Sequence, residues 1–240
     1  MKEKEEILKR IMCLLVYTDR CVLESEVIEG IRHPLKERED HRKEMAEWLK
    51  WKGYYSSFTA KEKRIMETPV TARTNQEILY NYLDYECIEP LLWSVGLKSR
   101  LSNYNDYVMA DLHPPMKIGP DHTLKGVADS CKVVPTGEIE KKRELAMLWY
   151  WRCLEARNAN AKNINYKDAV AKTFGETHAA LLEGDSGFDK NNGDFVVRGK
   201  KVSELSGAEI GKLEVLSERR FYAFEWLCSE EDWDKVDLIC

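Results

Sequence analysis

The 240-residue sequence predicts a mainly α fold, a two-lobed helical domain carrying one small β-hairpin. Three observations carry that expectation. Apolar residues recur at three-to-four spacing behind cap signals over most of the chain. Prolines and glycines crowd between His113 and Gly137, dividing the helical segments into 1–112 and 138–240 around a connection at 113–137. The strand signal is confined to about residues 194–203.

The elements follow in order. Ile7, Leu8, Ile11, Leu14 and Leu15 put one apolar face on a helix from Glu3 to Tyr17. A charged segment ending in Met45, Trp48 and Leu49 predicts a second helix over Leu35–Lys52, with Gly53 at its stop. Thr59–Glu62 and Thr74–Glu77 each place a Thr three residues before a Glu, the pattern in which the two side chains cap each other's backbone N–H. The first opens a short helix before Pro69, and the second a long one ending at Gly96. The connection holds Pro114, Pro115, Pro120 and Pro135 with Gly119, Gly126 and Gly137. Beyond it, helices are expected over Glu138–Arg157 and over Tyr166–Glu176, the latter extending towards Leu182. Asn192-Gly193 marks a turn, and Asp194–Val197 with Lys201–Val202 reads as a hairpin around Arg198-Gly199-Lys200. Ser206 caps a last helix over Gly207–Cys228, followed by a Trp-centred tail.

Composition narrows the function classes. With 43% hydrophobic and 33% charged residues the chain can build a core and is not a disordered segment. A formal charge of −5 exerts no global pull toward nucleic acid or anionic lipid, and suits a basic protein partner. The seven cysteines form no CxxC pair and fit a reducing compartment. Glu3, Glu5 and Glu6 interrupt the basic start that a leader needs before the apolar Ile11–Tyr17, and no apolar run reaches membrane-spanning length. The expectation is a soluble cytoplasmic protein without membrane or nucleic-acid partners.

Chemical motifs are sparse. The histidines at 33, 41, 113, 122 and 178 form no HExxH pair, so neither a metal nor another cofactor is expected; His113 and His122 beside Asp111 and Asp121 come nearest to an ion site. Gly184-Asp185-Ser186-Gly187 resembles a hydrolase nucleophile segment, but a helical chain lacks the positioned His–Asp pair, and it reads as a turn. Asp189–Asp194 lacks the Gly position and closing Glu of a calcium loop.

Charges inside apolar stripes stand out instead. Glu86 sits within Leu79, Tyr82, Leu83, Pro90 and Trp93; Arg220 within Leu213, Leu216, Ala223, Phe224 and Leu227; Arg152 within Leu145, Leu148, Trp149, Cys153 and Ala156. A lone buried charge costs several kcal/mol, so each needs a partner or a cleft. The expectation is a Glu86–Arg220 pair with Arg152 nearby as second or alternative partner, acting as a scaffold or lining a pocket between lobes. Trp149-Tyr150-Trp151, Tyr54-Tyr55 and Tyr80, Tyr82 and Tyr85 add amphipathic surface suited to protein contact.

At these residues a resemblance appears. Glu86 with Leu91-Leu92-Trp93-Ser94-Val95-Gly96 resembles the Glu…LLWALG block of a widespread bacterial family of unknown function. Phe58–Lys63, Asp194–Lys200 with Glu204-Leu205-Ser206, Arg220–Leu227 and Asp232–Val236 are similar, in order, to its Ser/Thr-Pro-x-Glu, DFxVxGK…ELS, ERHxALNWL and DWD blocks. Where those blocks carry Glu, His and Asn on the last helix, this chain has Arg219, Phe221 and Glu225, which argues against catalysis there. The family's arginine on the middle C-terminal helix falls on Trp149, with Arg152 one turn later. Relatives often lie beside polymorphic toxins, so the resemblance implies an immunity-like protein that neutralises a toxin or effector by stoichiometric binding. Glu86, Arg152, Arg220, Trp226, Trp233 and Asp234 are the binding candidates, with no catalytic residue assigned. The alternative is an enzyme or small-ligand binder built on Glu86, Arg220 and Arg152.

Overall fold

The protein is described by a computed structural model covering residues 1–25, 34–108, 110–157 and 164–239. The helices are α1 (Lys4–Glu24), α2 (Leu35–Trp51), α3 (Ala60–Glu67), α4 (Asn75–Tyr82), α5 (Ile88–Ser94), α6 (Leu124–Ala128), α7 (Thr136–Ala156), α8 (Tyr166–Phe174), α9 (Glu176–Leu181) and α10 (Gly207–Cys228). Strands β1 (Phe188–Asp189), β2 (Asp194–Val197) and β3 (Lys200–Lys201) form one small antiparallel sheet. The fold is mainly α, as the periodicity predicts.

Helix α1 is the spine of the first half. It runs one and a half turns or more past its expected end, because Arg10, Thr18, Arg20 and Glu24 are buried along with its apolar residues. Each has a partner: Arg10 binds Glu62, Thr18 Oγ1 donates to the Leu14 carbonyl at 2.8 Å, and Arg20 binds Glu24 and the Thr68 carbonyl. Both N-terminal capping boxes form as read, Thr59 with Glu62 and Thr74 with Glu77.

The long helix expected from Thr74 to Gly96 is broken. Pro90 has no N–H to donate to the carbonyl of residue 86, and the chain tightens into a 3-10 turn over Leu83–Cys87 between α4 and α5. The break rotates the stripe: Ile78 and Asn81 turn inward while Leu79 is exposed. Gly96 ends α5 at φ +73, and a Cβ there would stand 2.2 Å from the Lys132 carbonyl oxygen. The connection doubles back at this point, with the N–H groups of Lys132 and Val134 donating to the Val95 and Ser94 carbonyls at 3.0 and 2.9 Å.

The connection also carries a 3-10 turn over Pro114–Met116 and the short α6, and it buries Met116, His122 and Val127. Gly175 at φ +98 divides the expected 166–182 helix into α8 and α9. The predicted hairpin is β2–β3, turning at Arg198 (φ 51) and Gly199 (φ 78) with Val196 opposite Lys201. Strand β1 is an addition: Phe188 pairs with Phe195 across the Asn192-Gly193 turn, giving three strands instead of two.

Two clusters make the core. One joins Ile7, Ile11, Leu14, Leu91 and Leu92 to Ile139, Phe221, Phe224 and Leu227, drawing on both halves of the chain. The other joins Leu148, Trp149 and Cys153 to Tyr166, Val170, Phe195, Val202 and Leu213. Helices α7 and α10 contribute to both, each buried Leu or Phe side chain adding roughly 1.5–3 kcal/mol.

Candidate functional site, a strut and a cleft

Arg220 and Glu86 meet. Arg220 Nε and Nη2 donate to Glu86 Oε2 at 3.2 and 3.1 Å, and both residues are 2% exposed. The remaining guanidinium hydrogens point at the loop after α5: Nη1 donates to the carbonyls of Ser102 and Asn103, both at 2.9 Å. Glu86 Oε1 accepts from the Val108 N–H. Glu89, fully buried, lies 3.6 Å from Arg220 Nη2 and accepts from the Ser102 N–H and hydroxyl at 3.0 and 2.6 Å. Burial pushes the Glu86 carboxyl above its usual range and Arg220 pulls it back. The pair therefore acts as a strut, pinning the loop over residues 98–108 to α10.

Arg152 does not join it, and the expectation of a three-member cluster is corrected. Its guanidinium faces the sheet, Nε and Nη2 donating to Asp194 Oδ1 and Oδ2 at 2.8 and 3.1 Å, with the Tyr166 ring 3.7 Å beneath it. Asp194 further accepts from the N–H groups of Phe195 and Ser203. A bidentate carboxylate at the start of β2 satisfies Arg152 better than a shared Glu86.

Above the strut the pinned loop walls a cleft of about 750 Å³, bounded by α7, the segment around Ser186 and the β2–β3 turn. Its floor is aromatic. Tyr104 stacks on Trp149 with ring centroids 4.4 Å apart, Arg220 lies 4.9 Å from the Tyr104 ring, and Trp149 Nε1 donates to Asp185 Oδ2 at 2.8 Å. Gly187 touches that indole so closely that a Cβ would fall 2.4 Å from it. Lys98, Arg100, Lys142, Arg198 and Arg220 line the cleft against one carboxylate, Asp185. Three of these cations are already matched, Lys98 by Glu89, Arg198 by Asp106 and Arg220 by Glu86. Arg100 and Lys142 have no ion-pair partner among the described residues. Around a chain of net −5 this is a local reversal of sign.

The Gly184–Gly187 segment is a turn, Asp185 Oδ1 accepting from the Gly187 N–H at 3.0 Å, with Ser186 exposed at the cleft wall. Among the described residues no three His, Cys, Asp or Glu gather closely enough to hold an ion. His113 instead bridges Asp19 and Asp111, and His122 Nδ1 meets the Met116 carbonyl at 2.9 Å; His33 and Cys240 lie outside the described residues.

The three tail candidates lie together elsewhere. Trp226 is buried, its ring 5.2 Å from that of Trp233. Trp233 is half-buried beneath Arg10, and the Tyr222 hydroxyl donates to its carbonyl. Asp234 is exposed. Sequence reasoning missed Tyr104, Arg100 and Lys142. Tyr104 and Arg100 stand in a loop without periodicity, and Lys142 reads as any solvated helix charge.

The chain matches the family described as "Domain of unknown function (DUF4272)" over residues 1–181. No curated protein and no solved structure matches it.

Proposed function

Because the chain belongs to the DUF4272 family, whose description assigns no activity, we propose its function from geometry: it is a binding protein for a small anionic ligand held in the cleft above the Glu86–Arg220 strut. The carrying observation is that Arg100 and Lys142 reach a 750 Å³ cleft with no ion pair among the described residues. A phosphate or carboxylate supplies the missing counter-charge, and the polar loop edge over Ser102–Asn105 orients it. Among the described residues no His or Cys lines the cleft, which favours binding over group transfer. The strut holds the loop in place before any ligand arrives, limiting the ordering that binding costs.

The test uses inorganic phosphate as probe at constant ionic strength. Phosphate is expected to raise the melting temperature of wild type, and the Arg100→Glu/Lys142→Glu variant to lose that response while folding normally. A wild-type protein indifferent to phosphate, or a variant that responds equally, refutes the reading.

A second reading, stoichiometric neutralisation of a toxin or effector in the cytoplasm, is favoured by Trp51, 71% exposed at the end of α2 on an acidic chain. Six free thiols among the described residues suit a reducing compartment. A tagged chain retaining an effector-like protein in fixed ratio, released by Trp51→Ala, supports it; retention unaffected by that change removes the role of Trp51.

A further inference from the structure

Successive residues of α10 point about 100° apart, so while Arg220 faces the cleft, Arg219 faces a separate pocket of about 230 Å³. This pocket lies between α1, the start of α3, the 3-10 turn before α5 and the C-terminal tail. Its polar groups are unequally satisfied. Glu62 is spent, holding Arg10 Nη2 at 2.7 and 2.8 Å and the Thr59 N–H at 2.8 Å. Asp84 has one ion pair, Oδ1 to Arg219 Nε at 2.9 Å, with the Lys61 ammonium on the same lining acting on its charge from further off, and the Arg219 guanidinium rests 4.6 Å from the Tyr80 ring. Its Oδ2 has no partner among the described residues. Tyr17 lines the same pocket with zero exposure, and its hydroxyl has no hydrogen-bond partner at all among the described residues. Leaving a buried hydroxyl unpaired is destabilising, because its hydration is lost without replacement. Asp234 stands on the pocket's rim, exposed.

The groups left for a ligand are thus a carboxylate oxygen, a phenolic oxygen and the exposed rim carboxylate, with the Lys61 ammonium also on the lining and the aromatic walls of Tyr80, Tyr222 and Trp233 beside them. All three accept hydrogen bonds, and two carry negative charge. We propose that this pocket is a second ligand site, taking a primary alkylammonium group whose N–H donors meet Asp84 Oδ2 and the Tyr17 hydroxyl while its alkyl stem lies against the aromatic walls. Burial holds the Asp84 carboxyl above its usual range with Arg219 and then Lys61 opposing, and a bound ammonium stabilises its ionised form further. The proposal is independent of the anion cleft.

The experiment is a titration with butylammonium chloride at constant ionic strength, read by tryptophan fluorescence and calorimetry on the full chain, with tetramethylammonium chloride as a cation lacking N–H donors. Butylammonium is expected to bind saturably and tetramethylammonium to bind at least about tenfold more weakly. Tyr17→Phe removes an oxygen with no hydrogen-bond partner among the described residues, so this variant is expected to keep or gain stability yet bind butylammonium several-fold more weakly. Asp84→Asn is expected to abolish binding. No saturable binding to wild type, equal affinity for the two cations, or unaltered affinity in a folded Tyr17→Phe protein overturns the site; the last two outcomes mean a general cation effect. Comparing free butylammonium with a lysine-containing peptide separates a small-molecule amine from a protein side chain, tighter peptide binding that Tyr17→Phe weakens assigning the amine to a partner.

Discussion

A buried arginine whose three nitrogens all donate hydrogen bonds is a different object from one waiting for a ligand, and Arg220 is the first kind. Arg220→Met leaves Glu86 buried without its cation, while Glu89 keeps Lys98, and is expected to cost about 3–5 kcal/mol by urea denaturation. Glu86→Leu/Arg220→Met is expected to cost less than the two single changes summed, with a coupling of ~0.5–3 kcal/mol. Additive costs would mean that the two side chains meet without depending on one another. His113 supplies a second test at this scale. Hydrogen bonds to Asp19, opposed by partial burial, raise its pKa from 6.5 to about 9, with Asp111 adding to the effect. A group with a raised folded pKa stabilises fully below its unfolded value and loses that contribution as pH rises through the folded one. Stability should therefore fall between pH 6.5 and about 9 more steeply in wild type than in His113→Gln. Parallel profiles would show that the tie of this residue to α1 contributes nothing.

At the level of elements, the turn at Gly96 closes the back of α5 onto the connection, and nothing but glycine suits it. Gly96→Ala combines a φ of +73 with a methyl forced onto the Lys132 carbonyl, so a loss exceeding ~1 kcal/mol is expected in thermal or urea melts. A neutral result would mean that Lys132 and its strand-like contacts to Ser94 and Val95 give way freely. The same region shows how far periodicity reads. Glu86 was legible as a buried charge because an apolar stripe flanks it, and Arg220 likewise on α10, so their pairing follows from the cost of leaving either alone. What the stripe does not carry is the break at Pro90, which turns Leu79 outward. Nor does it name a partner for Arg152, because Asp194 sits at a strand edge where no helical spacing points. Tyr104, Arg100 and the unpaired Tyr17 hydroxyl are set by tertiary placement: a loop residue acquires its neighbours only when the strut holds it, and Tyr17 reads as one more ring on a buried face.

Over the whole molecule the decisive feature is that its two core clusters share α7 and α10. Ile139 and Ala146 belong to one cluster and Leu148, Trp149 and Cys153 to the other, along a single helix; Leu213 and Phe221–Leu227 divide α10 in the same way. Melting either cluster strips one face from both helices, so neither can unfold at low cost while the other survives. The expectation is one cooperative transition despite the Pro/Gly-rich connection at 113–137. Near-ultraviolet dichroism, dominated by packed rings such as Trp149 and Tyr104, should fall at the same urea concentration as the far-ultraviolet helix signal. Arg220→Met sharpens the test, because it loosens the loop that seats Tyr104 on Trp149 while leaving both clusters their apolar residues. Coincident transitions in wild type that separate in this variant would place the strut, and not the shared helices alone, in charge of coupling the halves. Separate transitions already in wild type would show that each cluster stands by itself and that the connection is a true boundary.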